Sequence, residues 1–324
     1  MTHRALHARA IARVGLLISM LLLAACADSS APTARDEPLR IRVSGAFALF
    51  PMMTVWAEAY TAQNPNITFD VQAGGAGKGM SDVLSGVADI AMLSRDVRQE
   101  ELEQGAFLVP VAIDAVVGTV NADNPVLEDL LAQGITPEIA SKIWISGEIT
   151  TWGEVVGTAD ATLINVYTRS DASGAAEVWS QFLGGTSQED LQGIAVNADP
   201  GLAQAVIQDA NGIGYNNIAF AYSLATDAQT DGLRVIPIDL DGDGRISPAE
   251  DFYTSRLAIN AAVGAQIYPY PPARLLYVVT KGTPSPVLAD FFHWILTDGQ
   301  PLVNEAGFVG LNEQMIQAGL DVLP

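Results

Sequence analysis

Strand and helix patterns alternate after the N-terminal tract, and that alternation limits the possible folds more than any other feature. "IRVSGAF" (41–47) reads as a strand. Pro51 opens a helix through Trp56, Ala59 and Tyr60, and "QNPN" stops it. "ITFDVQA" (67–73) places Ile67, Phe69 and Val71 two residues apart, the period of a strand. "GGAGKG" (74–79) reads as a loop, Met80–Ser85 as a helix, and "DIAMLS" (89–94) as an apolar strand. Strands separated by helices point to an α/β fold with a parallel sheet and right-handed crossovers. Such sheets bind ligands beyond the carboxyl ends of their strands. The loops at 45–51, 74–79, 94–96 and 169–175 qualify. They come from both halves of the chain, so a cleft between domains is expected. The length of 324 residues suits two domains.

The stretch "TRSDASGAAEVW" (168–179) holds the parts of an oxyanion cradle. Arg169 offers a planar cationic fork. Ser170 and Ser173 offer hydroxyls, and Gly174 stands just before a helix expected over Ala175–Leu183, whose first N–H groups are free to bind an anion. Yet the chain carries 37 Asp and Glu against 16 Lys and Arg, a net charge of −21. That balance argues against nucleic acid and against adhesion to anionic lipid. The lysines are Lys78, Lys142 and Lys281 alone. An anion site must therefore rest on arginine and backbone N–H groups. Those act at contact, whereas net charge is screened over a Debye length of about 8 Å.

The N-terminus reads as a leader, not as fold. Arg4, Arg9 and Arg13 form a basic region ahead of the short apolar "VGLLISMLLLAA". It ends in "LLLAAC", which is similar to a bacterial lipobox with Cys26 as the lipidated residue. Removing residues 1–25 takes away three Arg and no acid, leaving 13 basic and 37 acidic groups, a charge of −24. Residues 26–38 read as a polar tether. Cys26 is the sole cysteine, so the folded part has neither a disulfide nor a thiol nucleophile.

Several stretches then resemble one family. "ADIAMLSRDVRQEEL", "VPVAIDAVVGTVN", "ITPEIASKIWISGEITTWGEV", "NGIGYNNIAFAY" and "YPPARLLYVVTKGTPSPVLADFFHWILTDGQPLVNEAGFVGL" follow one another as in phosphate-type ABC-transporter substrate-binding proteins. The similarity runs from about residue 41 to 311. It implies a two-lobed periplasmic binding protein fold of type II, with parallel-rich sheets flanked by helices and a ligand cleft between the lobes. Lobe 1 would be 39–120 plus 268–324, and lobe 2 would be 121–267. The implied function is capture of inorganic phosphate, or a related tetrahedral oxyanion, outside the cytoplasm. The implied partners are the permease subunits and ATPase of an ABC importer. The chain is expected to be a monomer, held at the membrane by its lipid only.

The resemblance also implies a site. The family's R-x-D-x-S-G-T falls on Arg169, Asp171, Ser173, Gly174 and Ala175, with alanine in place of the last hydroxyl. Its S-R falls on Ser94 and Arg95. Its first hydroxyl-rich loop reads Gly45-Ala46-Phe47-Ala48-Leu49, and Ala48 and Leu49 are expected to offer backbone only. Its second glycine-rich loop falls on Ala76, Gly77 and Lys78, where Ala76 replaces a serine and Lys78 adds a charge. Each lost hydrogen bond to a charged ligand is worth roughly 1.5–3 kcal/mol. Phosphate capture therefore requires that Lys78 and the backbone compensate.

"DLDGDGRISPAE" (239–250) is a second constellation. Asp239, Asp241 and Asp243 occupy positions 1, 3 and 5 of a calcium loop. Gly244 is its turn glycine, Arg245 would give a carbonyl, Ser247 sits at position 9 and Glu250 at 12. The strand-like "GLRVIPI" before it is not an EF-hand helix, so a structural Ca²⁺ is expected rather than a sensor.

Other residues carry plainer expectations. His293, the one histidine after the leader, is expected to pack on an aromatic helix. Trp144, Trp152 and Trp179 are expected in cores or lobe interfaces, and Asp114 at a hinge or lobe contact. No catalytic residue and no organic cofactor are expected. One alternative is a phosphomonoester-hydrolysing enzyme with Ser173 as nucleophile, but no second histidine or metal pair supports it. Another is a module that senses or scavenges anions without a transporter.

Overall fold

The computed structural model describes residues 38–324. The expected leader, Cys26 and nearly all of the tether lie outside the described residues. The strands are β1 (Leu39–Gly45), β2 (Ile67–Ala73), β3 (Ile90–Leu93), β4 (Ala106–Asn121), β5 (Asn165–Arg169), β6 (Ile194–Val196), β7 (Gly212–Asn217), β8 (Leu233–Val235) and β9 (Ala273–Lys281). The helices are α1 (Phe50–Gln63), α2 (Ala76–Leu84), α3 (Gln99–Glu103), α4 (Leu127–Gln133), α5 (Pro137–Trp144), α6 (Trp152–Val156), α7 (Gly174–Phe182), α8 (Asp199–Ile207), α9 (Ile218–Ala221), α10 (Arg256–Gly264), α11 (Pro286–Leu296), α12 (Pro301–Glu305) and α13 (Glu313–Asp321). Among the described residues no helix is long and apolar enough to cross a membrane.

The strands follow one path, β2-β1-β3-β9-β4-β7-β5-β6, with β8 also on β4. β1 and β3 are parallel, as are β5 with β6 and β7. The middle differs from what alternation alone suggests: β9 runs antiparallel to β3 and β4, and β4 antiparallel to β7 and β8. β4 is long enough to serve two cores. Its first half pairs with β9 and sends Val109, Val111 and Ala112 into a core with Trp56, Phe291 and Phe292. Its second half pairs with β7 and sends Val116 and Val120 into another, with Trp144, Trp152 and Trp179. A third cluster, around Tyr222, Tyr253 and Tyr268, takes Ala115 and Val117.

Chain ends meet in the first core. Trp56 is fully buried and its indole N–H donates to the Gly299 carbonyl at 2.9 Å. Tyr60, Phe69, Phe291 and Trp294 pack around it with ring centroids 4.7–6.3 Å apart. Truncating one such ring to alanine costs about 3–5 kcal/mol. His293 departs from expectation. It is exposed, because α11 turns Phe291, Phe292, Trp294 and Ile295 inward and leaves position 293 outside.

α2 begins at Ala76, not near Met80 as expected. Glycine normally weakens a helix interior by about 1 kcal/mol. Here it is what lets the helix dock: a Cβ at Gly79 would stand 2.6 Å from the Gly45 Cα and 2.7 Å from the Ser44 carbonyl oxygen. The glycine-rich stretch is thus the first turns of a helix pressed onto β1.

Candidate oxyanion site

Four segments meet at the carboxyl ends of β1, β3 and β5. These are the turn 46–49, the start of α2, Ser94–Arg95, and the run from Arg169 into α7. Gly77 N–H donates to the Ala172 carbonyl at 3.1 Å, joining the second segment to the fourth. Gly174 lies on Ser94 so closely that a Cβ there would stand 2.6 Å from the Ser94 carbonyl oxygen. The Phe47 ring covers the Arg169 guanidinium, 5.6 Å from its centroid. Arg98 Nη2 reaches both Glu177 oxygens at 3.2 Å, tying the segment before α3 to the first turn of α7.

Arg169 is the centre of this assembly and is buried. Asp171 takes its Nε at 2.8 Å and its Nη2 at 2.6 Å, and Asp199 takes its Nη1 at 2.5 Å. Three of the five guanidinium N–H donors are engaged and two remain. Burial alone would lower the guanidinium pKa, but Asp199 and then Asp171 outweigh it and raise it. Burial pushes the Asp199 carboxyl up, and Arg169 pulls it back. Its oxygens accept from Arg169 Nη1 and from the Asn217 amide. Two carboxyl groups, Asp171 and Asp199, thus share the one guanidinium before any ligand arrives.

Backbone donors surround it. The N–H groups of Phe47, Ala48, Ala76, Gly174 and Ala175 donate to no protein acceptor among the described residues. Ser173 caps α7, accepting the Ala176 N–H on its Oγ at 3.3 Å, while its own N–H goes to Gln188 Oε1 at 2.7 Å. Ala48, Ala76 and Ala175, which lack the family's hydroxyls, are all buried, and only their backbone N–H groups are left to donate. Leu49, also expected to offer its backbone, instead donates its N–H to the Ala46 carbonyl at 3.2 Å. Asp171 Oδ2 faces the start of α2: a Cβ at Gly75 would stand 2.9 Å from it.

Two expected ligand residues point elsewhere. The Lys78 amine is held by Asp82, one turn further along α2, and by Ser44 Oγ at 3.2 Å. The buried Arg95 forks onto both Glu101 oxygens at 2.9 and 2.6 Å and donates to the Asp96 carbonyl at 2.8 Å. In each case a carboxylate a few residues away captures the cation. Asp199, Asn217 and Gln188 are parts of the site that sequence reading missed. The only local signal is Asp199-Pro200, which reads as an ordinary helix start.

This chain matches the PBP superfamily domain over residues 28–299. It belongs to that superfamily. Among curated relatives, the phosphate-binding protein PstS of Pseudomonas aeruginosa is 26% identical over 86% of this chain and 85% of its own. PstS of Bacillus subtilis is 27% identical, covering 92% of both. The structure resembles a Clostridium perfringens protein described as a putative phosphate ABC transporter substrate-binding protein with bound phosphate. Its TM-score is 0.67 at 23% identity, over 84% of this chain and all of that one. An ABC-type phosphate transport receptor from Vibrio cholerae gives a TM-score of 0.61 at 23% identity, with the same coverage. These structural likenesses establish the two-lobed α/β fold of the superfamily.

The loop 239–250 stands apart from this site. Asp239, Asp241 and Asp243 offer oxygens that lie within 4.8 Å of one another. Asp239 is buried and accepts the Gly242 and Gly244 N–H groups at 2.8 and 2.9 Å. Arg245 N–H donates to Asp243 at 2.9 Å. Glu250 is outside that group of three. Its two oxygens accept from Ser247 N–H at 3.0 Å and Leu240 N–H at 2.8 Å, which holds its carboxyl below the usual range.

Proposed function

We propose that this protein captures inorganic phosphate, or a closely related tetrahedral oxyanion, outside the cytoplasm and delivers it to an ABC importer. The observation that carries the reading is Arg169, clamped by two carboxylates between the N-terminal turns of α2 and α7 with two N–H donors left over. The names of the relatives support phosphate as the ligand and an ABC transporter as the partner, and the permease subunits with their ATPase are the partners this reading implies. The lipobox-like Cys26 supplies a lipid anchor, and the protein works as a monomer.

The chemistry of the site selects among anions. An anion meets a guanidinium already shared by two carboxyl groups, so it must be held by short-range donors. Free backbone N–H groups from three loops answer the missing hydroxyls, since no side-chain change removes them. A carboxylate oxygen facing the cleft favours an oxyanion that still carries a proton to donate. Hydrogen phosphate has one; sulfate at neutral pH has none.

Against the hydrolase reading, Ser173 spends its hydroxyl oxygen on capping α7, and His293 sits exposed on α11. Glu177, the acid in the first turn of α7, has its carboxylate engaged with Arg98 and is not free to act as a base.

The loop 239–250 fits a structural Ca²⁺ held by Asp239, Asp241 and Asp243. Arg245, Ser247 and Glu250 complete the set by position. What supports this is the convergence of three aspartates on a loop whose backbone is already turned around them.

The test of phosphate capture is calorimetric titration of the full chain in mild detergent and millimolar Ca²⁺, with phosphate, then sulfate and arsenate. Phosphate binding at about micromolar or tighter is expected, with sulfate at least about 100-fold weaker. No heat with phosphate up to millimolar concentration overturns the reading.

A further inference from the structure

A chain of buried polar groups continues past Arg169 into the centre of the sheet. Asp199 gives one oxygen to Arg169 and accepts the Asn217 amide on the other, at 2.6 Å. The Asn217 carbonyl oxygen accepts from Arg274 Nη2, and the same nitrogen reaches Asp114 at 3.2 Å. Every member is at most 6% exposed. Asp114 and Arg274 face one another across β4 and β9, and Asn217 faces Val116 across β7 and β4. Three adjacent strands therefore hold three of the five groups.

This arrangement is poor as a device for stability alone. A buried ion pair is often no better than apolar packing of equal volume. Arg274 is also under-coordinated: its Nε and Nη1 find no partner among the described residues. What the chain does achieve is orientation. Asn217 can sit only one way round. Flipped, its carbonyl would meet the Asp199 carboxylate and its amide would meet the Arg274 cation. That fixed amide fixes Asp199, and Asp199 adds a third point, at Nη1, to the guanidinium that Asp171 grips at Nε and Nη2.

We infer that Asn217 and Arg274 are positioning residues for anion binding, acting through Asp199 to aim the two free N–H donors of Arg169 into the cleft. The inference rests on the proposed oxyanion reading of Arg169. Because Arg274 and Asp114 ride on β9 and β4, the two strands whose pairing runs beside the first core, the register of that pair reaches the anion site through side chains. No backbone contact between the site and the strand pair is needed.

The experiment is a double-mutant cycle on the full chain, titrated with inorganic phosphate. Asn217→Ala is expected to weaken phosphate by about tenfold or more, and Asp199→Asn likewise. The double variant is expected to be no weaker than the worse single, because both act on the same guanidinium. Multiplying losses, or an Asn217→Ala affinity within about twofold of the parent, overturns the inference. Arg274→Lys keeps the charge and removes the fork. It gives the same reading if Asn217→Ala does not fold, with a loss of about three- to tenfold expected and parental affinity overturning the inference. The Arg169 Nη1–H signal, from the proton that Asp199 holds, is followed by NMR on the same samples at low temperature without ligand. Faster exchange of that proton in Asn217→Ala or Arg274→Lys supports the positioning role, and an unchanged signal overturns it. A parent chain that ignores phosphate sinks the phosphate reading alone, since the NMR outcome still decides the positioning role.

Discussion

Two regions of this molecule gather carboxylates, and they do so to opposite ends. Around Arg169 the acids are buried, and the chain supplies the cation itself, fixed by β5 and held from two sides. In the loop 239–250, Asp241 and Asp243 are exposed, and the backbone turns around Asp239 with no side-chain cation among them. The first cluster holds its own cation and has N–H donors left over. The second is unbalanced and exposes leftover acceptors. The same residue type, aspartate, thus prepares one place for an anion and the other for a cation. The difference is whether a covalently tethered positive charge is present.

The largest effect should come from removing that tethered charge. Arg169→Ala leaves Asp171 and the buried Asp199 facing each other without a cation. Breaking a buried pair in this way costs about 3–5 kcal/mol. Denaturant unfolding is expected to show that loss, and titration is expected to show no phosphate binding. A variant that unfolds like the parent would mean that Asp199 is not held ionised by Arg169.

Much of this comparison was readable from sequence, and the limit of what was readable has a physical cause. Arg169 and Asp171 are two residues apart, the four loops lie at strand ends, and the calcium pattern is a spacing, so local rules reach all three. The strands came within two residues of their observed ends where apolar alternation was clear, as for β2. The direction of the central strands did not follow, because β9 returns from the far end of the chain and alternation says nothing about such returns. Asp199 is 30 residues from Arg169, and Arg274 is 160 from Asp114. No spacing encodes such pairs; only the closed sheet does. For Lys78 and Arg95 the spacing gives the position, but Asp82 and Glu101 decide where the charge goes.

The next effect in size concerns pH and separates the buried acids from the exposed ones. Burial raises the Asp114 carboxyl to about 6, with Arg274 opposing the shift. A raised folded-state pKa means that the native chain binds this proton more tightly than the unfolded chain. Stability from this group is therefore full below the ordinary carboxylate value near 3.8 and is lost as pH rises through about 6. The loss between pH 4 and pH 7 is about 2 kcal/mol. Acids held low by their partners, such as Asp89 beside Arg42, act in the other direction as pH falls. The measurement is therefore a difference: parent minus Asp114→Asn, by urea unfolding at pH 4 and 7. A difference that stays constant between the two pH values would place Asp114 in a wetter site than the one described.

Calcium should give a smaller effect, confined to the other region. A site of the extracellular class, with Kd of about 10⁻⁴–10⁻³ M, adds about 1–3 kcal/mol at 10 mM Ca²⁺. That corresponds to a rise in Tm of about 2–4 °C per kcal/mol for a chain near this size. Asp241→Ala is expected to abolish the rise while leaving phosphate affinity unchanged. If calcium instead altered phosphate affinity, the two clusters would be coupled and their contrast would fail.

The smallest effect is the sharpest check on which cations matter. Lys78 lies in the first turn of α2, beside the candidate site, yet its side chain is about half exposed (49%) and paired with Asp82 at i,i+4. Exposed pairs of this kind contribute about 0.3–0.5 kcal/mol and are screened by salt. Lys78→Ala is therefore expected to change stability by no more than that, and phosphate affinity by less than about threefold at physiological salt. A loss of tenfold or more would mean that the amine leaves Asp82 when the anion arrives. The acidic chain would then be supplying its ligand with a mobile charge as well as a fixed one. At low salt the two cases diverge further. A mobile amine acting at a distance gains affinity as screening falls, whereas donors acting at contact gain little, because the contact is already inside the Debye length.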